Sequence, residues 1–166
     1  MSLRIEVHVP SQQLYLLDDA DQCVLQRSVS TAANGVGERR YSECTPRGRH
    51  IVRAKIGAGA APNTVFRGRR PTGELYTAAL RKRYPQRDWI LTRILWLSGT
   101  EPGFNRGGSV DTMRRFIYIH GAPDEDPMGN PGSHGCIKMR NVDVMVLFDL
   151  VPVGTPVIID VDDREH

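Results

Sequence analysis

Three cysteines in 166 residues, Cys23, Cys44 and Cys136, are too few and too odd in number for a disulfide scaffold. At least one thiol stays free, which fits a reducing compartment or a cysteine that reacts. Long apolar runs are also missing. None approaches the roughly 20 residues that a bilayer helix requires, so no membrane span is expected. The opening residues Leu3-Arg4-Ile5-Glu6-Val7-His8-Val9 alternate as a strand does, and they lack the apolar centre of a signal peptide. The chain as it stands therefore reads as cytoplasmic. An export segment removed from it would place it in the periplasm or cell envelope instead. Lysine is scarce too, with only Lys55, Lys82 and Lys138. Arginine carries the rest of the positive charge, and the net is +3 from 22 basic against 19 acidic residues. So small an excess, without interleaved exposed aromatics, argues against a nucleic-acid partner. This holds although Arg67-Gly68-Arg69-Arg70 and Arg81-Lys82-Arg83 are basic clusters.

What is present suits one ordinary globular domain over residues 1–166. Apolar residues make up 40% and charged residues 25%. No repeat or linker divides the chain. Alternation predicts strands at Leu3–Val9, Gln12–Leu17 and Cys23–Ser30, a meander that puts Cys23 in the core. Further strands are expected at His50–Ile56, Trp89–Leu97, Arg115–His120 and Thr155–Asp160. Two helices are expected. One is near Glu74–Tyr84, capped by Thr72 and stopped by Pro85, and the other is Asn141–Leu150, capped by Asn141. The fold class is mainly β with a few short helices. Ser98–Asp111, rich in glycine and polar residues, is the loop expected beside a site.

The chemistry concentrates in Ser133-His134-Gly135-Cys136-Ile137, with His120 sixteen residues before the cysteine. Cysteine attacks as a thiolate, and a histidine is the usual group that takes its proton. A free thiol titrates near ~8.5, and a neighbouring imidazolium can lower that to roughly 3.5–7.5. Gly135 permits a tight turn whose N–H groups can face an oxyanion. The stretch reads as a Cys–His acyl-transfer site, with Cys136 the nucleophile and His120 its base.

The same residues carry a resemblance. Ser133-His134-Gly135-Cys136-Ile137 with His120-Gly121 upstream resembles the signature of the L,D-transpeptidase family, the YkuD-type catalytic domain. Thr45-Pro46-Arg47-Gly48, Arg140-Asn141-x-Asp143 and Gly154-Thr155-Pro156-Val157 resemble its other segments, so the likeness runs from about Arg4 to Asp160. It implies a mainly β fold and cysteine acyl transfer on peptidoglycan stem peptides or muropeptides, with no cofactor. By the resemblance, Cys136 attacks a tetrapeptide stem and expels terminal D-alanine. His120 is the base, and the Gly121 carbonyl orients it. Ser133 and His134 shape the pocket, and Gly135 and Cys136 supply the oxyanion-hole backbone. The family usually has arginine two positions after the cysteine. Here Lys138 stands there, one point charge in place of a fork, and Arg140 is the residue that could compensate.

Other readings of these residues stay open at this point. Cys136 could be a buried structural thiol. His120, His134 and Cys136 could hold zinc, although no fourth ligand is evident. Water could replace an amine as acyl acceptor, giving an L,D-carboxypeptidase acting on soluble recycled muropeptides. A catalytically silent murein-binding module would use the cleft but not the thiol. Cys44 reads as a surface thiol, and His8 and His50 as incidental members of strands.

Overall fold

The computed structural model describes residues 2–162. Ten strands run in the order β1 (Arg4–His8), β2 (Gln13–Leu17), β3 (Cys23–Ser28), β4 (Gly48–Ile56), β5 (Thr64–Arg67), β6 (Arg70–Leu75), β7 (Ile90–Gly99), β8 (Tyr118–Ala122), β9 (Ile137–Arg140) and β10 (Pro156–Asp160). Helix α1 (Ala78–Arg83) precedes β7, and α2 (Asn141–Leu150) follows β9. The fold is mainly β, as expected.

All ten strands join one sheet in the order β3-β2-β1-β10-β4-β7-β5-β6, and β8 and β9 branch from β7. Two pairs, β1 with β10 and β8 with β9, are parallel. Strand β7 is the hub. It carries β4 and β5 along with β8, and it bulges between Leu91 and Ile94, where Thr92 takes a φ of 75°. The bulge bends the strand so that one ladder serves neighbours on both sides.

Helix α2 packs on β7, β8 and β9, burying Val144, Leu147 and Phe148 against Leu95, Ile119, Ile137 and Met139. Ile5, Val7, Leu14, Leu16, Val157 and Ile159 extend the same core across β1, β2 and β10. Each such side chain contributes about 1.5–3 kcal/mol by leaving water. The core thus clamps β8 and β9, the strands that flank the Ser-His-Gly-Cys stretch.

Several sequence expectations shift. The predicted helix Glu74–Tyr84 shrinks to Ala78–Arg83, and its cap is Thr77, whose side chain accepts the Leu80 N–H at 3.1 Å. Glu74 and Leu75 are claimed by the β5–β6 hairpin, where Leu75 pairs with Thr64. The three-and-four spacing was incidental, since no residue of α1 is buried. Asn141 opens α2 but does not cap it. Its amide is buried and spent on Thr92, Asn63 and Asp124. Cys23 is exposed, not core, because the β2–β3 register shifts at Leu16/Leu17 and only Leu25 of that edge strand is buried. Strand β8 begins at Tyr118, three residues later than read, because residues 112–116 form a turn that Phe116 closes with a left-handed φ of 58°.

Candidate active site

The Cys136 turn is braced from three directions. Ser133 Oγ accepts the Gly135 N–H at 3.2 Å and donates to the Cys136 carbonyl, closing the turn on itself. Thr45 Oγ1 donates to the Gly135 carbonyl at 2.9 Å and accepts the Ala32 N–H at 2.9 Å. This is the physical use of the Thr45-Pro46-Arg47-Gly48 turn: it pins a distant segment to the Cys136 loop. Gly135 has a φ of 134°, a conformation that L side chains rarely adopt, so the turn requires glycine. The sulfur accepts the Tyr118 N–H at 3.3 Å and faces the Phe116 carbonyl at 3.4 Å, toward which the thiol donates. The left-handed φ of Phe116 belongs to the backbone that presents this carbonyl.

His120 is fully inside β8, beside Lys138 in the parallel register with β9. Its Nδ1 lies 2.6 Å from the Gly121 carbonyl. A carbonyl only accepts, so Nδ1 carries the proton and Nε2 holds the free lone pair. Gly121 stands where a Cβ would meet the Leu91 carbonyl at 2.6 Å and would also collide with Asn141 Oδ1. The absence of a side chain therefore lets β8 close on β7 and α2 and fixes the imidazole's acceptor.

Cys136 and His120 line one cavity of about 350 Å³, together with Ser133, His134, Asp88, Arg69, Arg115, Phe116 and Tyr118 among others. His134 is largely exposed at the rim, its Nδ1 3.7 Å from Asp88. Among the described residues no group of three His, Cys, Asp or Glu is placed to hold a metal ion, so the zinc arrangement of His120, His134 and Cys136 is not formed. Lys138 and Arg140 are not brought to this cavity. Lys138 pairs with Asp126 at 3.3 Å in the neighbouring pocket, which it shares with Asp88 and His134. Arg140 is exposed at the start of α2. The Ser98–Asp111 loop is also elsewhere. Asn105 is buried against the Arg47 and Arg49 carbonyls, and no residue of the loop lines the cavity. The turn of the β5–β6 hairpin, Gly68 and Arg69, forms that wall instead.

Burial sets the resting protonation. Loss of water pushes the Cys136 thiol up to about 12, and the Asp88 carboxylate pushes the same way. The Tyr118 N–H and the Arg115 guanidinium pull it down, but by less. Burial also depresses His120, against the opposing pull of Asp88. A neutral thiol therefore sits near a neutral imidazole. Burial thus favours the uncharged pair over a thiolate–imidazolium pair, because loss of water disfavours both charges.

The family model of the YkuD L,D-transpeptidase catalytic domain matches residues 2–159. The chain belongs to this family. YqjB of Bacillus subtilis, which carries an L,D-transpeptidase name, is 44% identical over 62 residues, 37% of this chain and 34% of YqjB. YbiS of Escherichia coli K12, similarly named, is 46% identical over 43 residues, 26% of this chain and 14% of YbiS. The chain thus matches about a third or less of these curated relatives' length. Among solved structures, an L,D-transpeptidase from Mycobacterium smegmatis superposes with a TM-score of 0.56 at 15% identity, covering 96% of this chain and 58% of that one. One from Enterococcus faecium gives 0.58 at 18%, covering 96% and 50%. At such identities the likeness concerns the fold.

Within this L,D-transpeptidase domain, three cavity residues carried no sequence signal. Asp88 sits just before β7 and supplies the carboxylate that acts on both His120 and Cys136. Arg115 reaches across to the Gly37, Glu38 and Cys44 carbonyls and to Ser42 Oγ, its Nη2 lying 2.6 Å from the Cys44 oxygen. It ties the polar 37–44 loop to the cavity wall. Arg69 reaches in from a hairpin that sequence pattern did not disclose. Nothing in local spacing distinguishes these residues from the many other charged ones.

Proposed function

We propose that this L,D-transpeptidase domain carries out cysteine-dependent acyl transfer on peptidoglycan stem tetrapeptides. The supporting observation is the shared cavity of Cys136 and His120, with the imidazole tautomer set by the Gly121 carbonyl. Because the resting pair is neutral, proton removal accompanies attack. The Sγ proton passes to His120 Nε2 as sulfur bonds to the carbonyl carbon of the stem's third residue. Collapse of the tetrahedral species breaks the C–N bond to the terminal D-alanine. The imidazolium returns its proton to the departing amine. The resulting thioester is attacked by an amine of a second stem, whose proton again passes to His120, and the thiol is regenerated with a cross-link formed.

The test is mass spectrometry of products after incubation with purified disaccharide-tetrapeptide. The wild type is expected to release D-alanine and to form a tripeptide-linked dimer. Cys136→Ser should lose at least a thousandfold in rate while keeping its melting temperature within a few degrees. Trimmed tripeptide without dimer would show water as the acceptor. Turnover retained by Cys136→Ser would refute the mechanism.

A further inference from the structure

Lys138, which stands where the resemblance puts an arginine, is already paired with Asp126 and lies outside the cavity of Cys136. Arg140 is exposed at the head of α2. Arg115 lines the cavity, but its Nη1 and Nη2 are spent on three carbonyls and a hydroxyl. One other cation faces the same space. Arg69 stands at the tip of the β5–β6 hairpin, where Gly68 and Arg69 both have positive φ (55° and 64°) and Arg67 pairs with Arg70. Two such residues make the tight turn whose twist matches a hairpin, so the tip is fixed rather than trailing.

The guanidinium of Arg69 rests 4.7 Å from the Trp96 ring and 4.8 Å from the Phe116 ring, and Nη1 donates to the Tyr118 hydroxyl at 3.1 Å. Tyr118 is the residue whose N–H holds Cys136 Sγ, so one tyrosine separates the cation from the nucleophile. Among the described residues, ion pairs occupy Arg4, Arg27, Arg47, Arg81, Arg87 and Lys138, whereas Arg69 has none. Aromatic faces hold a guanidinium without neutralising it, and an unneutralised guanidinium lining a cavity is suited to a carboxylate.

We propose that Arg69 is the specificity-determining residue of this site, binding the terminal carboxylate of the D-residue that Cys136 expels. The inference rests on the acyl-transfer reading above and adds the group that selects the substrate's end. It accounts for Lys138 being committed elsewhere: the carboxylate partner comes from the hairpin wall. It also accounts for the left-handed backbone at an arginine, which aims the side chain inward from the turn.

Two paired measurements test this. The first compares alkylation of Cys136 by iodoacetate and iodoacetamide, which differ in charge and need no murein. The second compares kcat/KM for release of the last residue from a tetrapeptide and from its C-terminal amide. Both are made on the wild type, Arg69→Gln and Arg69→Lys, with folding checked by circular dichroism. A charge-assisted pair corresponds to roughly 10–100-fold. Arg69→Gln is expected to lower the acid-over-amide preference by that factor and to lower the iodoacetate-over-iodoacetamide ratio several-fold. Arg69→Lys should restore the alkylation ratio but only part of the peptide preference, because it keeps the charge and loses the fork. Both ratios unchanged in Arg69→Gln would overturn the proposal. A changed alkylation ratio with unchanged peptide preference would also overturn it, since the charge would then not read the leaving residue. A wild type inert to both peptides would defeat the acyl-transfer reading. The alkylation ratio would then decide alone whether Arg69 is an anion site.

Discussion

At the scale of single residues, the proposed mechanism starts from two neutral groups, held where a charged pair would be costly. A half-buried thiol pushed up to about 12 and a depressed imidazole mean that, in the proposed mechanism, ionisation accompanies attack on the substrate. Asp88 is the residue that tunes this balance, because its carboxylate raises the proton affinity of both partners. The reactive form requires a free lone pair on His120, so the acid limb of kcat/KM follows the imidazole. The depressed imidazole places that limb below the usual histidine range of ~6.5. Asp88→Asn removes the carboxylate charge and should carry the limb to still lower pH. The same change lowers the thiol's proton affinity, so alkylation of Cys136 at fixed mildly alkaline pH should quicken several-fold. Stopped-time mass spectrometry across a pH series reads both effects. A limb that moves upward would show that Asp88 acts on the site by some route other than its charge.

At the scale of elements, β7 and β8 are the frame on which the site depends, and Gly121 is the point of closest approach. A side chain there would meet the Leu91 carbonyl of β7 and the amide of Asn141 at the head of α2. Asn141 in turn joins Thr92 on the β7 bulge to Asn63 and Asp124. Gly121→Ala must therefore push β8 off β7 or break a buried amide network, and overpacking of this kind costs about 1–3 kcal/mol or more. Urea denaturation should show the loss, and thiol alkylation should change with it because the carbonyl that orients His120 moves. An Ala variant as stable as the wild type would mean that the strands separate freely. The same frame explains which elements could be read from sequence. Strands β1, β2, β4, β7 and β10 alternate or are uniformly apolar because each is buried by ladder neighbours and core. The β5–β6 hairpin does not, since every residue of β6 except Glu74 is exposed. Its turn residues Gly68 and Arg69 looked like part of a basic cluster. Helix α1 was misplaced for the same reason: without a buried face, periodicity has no physical cause to report.

At the scale of the whole molecule, Cys136 and His120, the proposed nucleophile and base, could be paired from sequence because only sixteen residues separate them, and the fold brings both to one cavity. The groups proposed to tune and select were not legible in the sequence. Asp88, Arg69 and Arg115 reach the cavity from separate parts of the chain, and only the branched sheet brings them together. His50 is a further case, read as incidental yet structural. It is buried on β4 between the Gly48 carbonyl and Thr112 Oγ1, each 3.1 Å away. Loss of water lowers it from 6.5 to about 4, with only partial opposition from its hydrogen bonds and from Glu101. The folded protein therefore binds fewer protons than the unfolded chain between those values, and stability falls as pH is lowered through that window. His120, depressed for the same reason, adds in the same direction. For His50 the full difference corresponds to about 3 kcal/mol. For a protein of this size that is roughly 6–12 °C in melting temperature between pH 7 and pH 4. Calorimetry of the wild type and His50→Gln over this range isolates the effect, because carboxyls such as Glu38 contribute equally to both. The variant is expected to start less stable at pH 7 and to lose less on acidification, so that the two curves converge near pH 4. Parallel curves would show that His50 takes up its proton in the fold as readily as in the open chain.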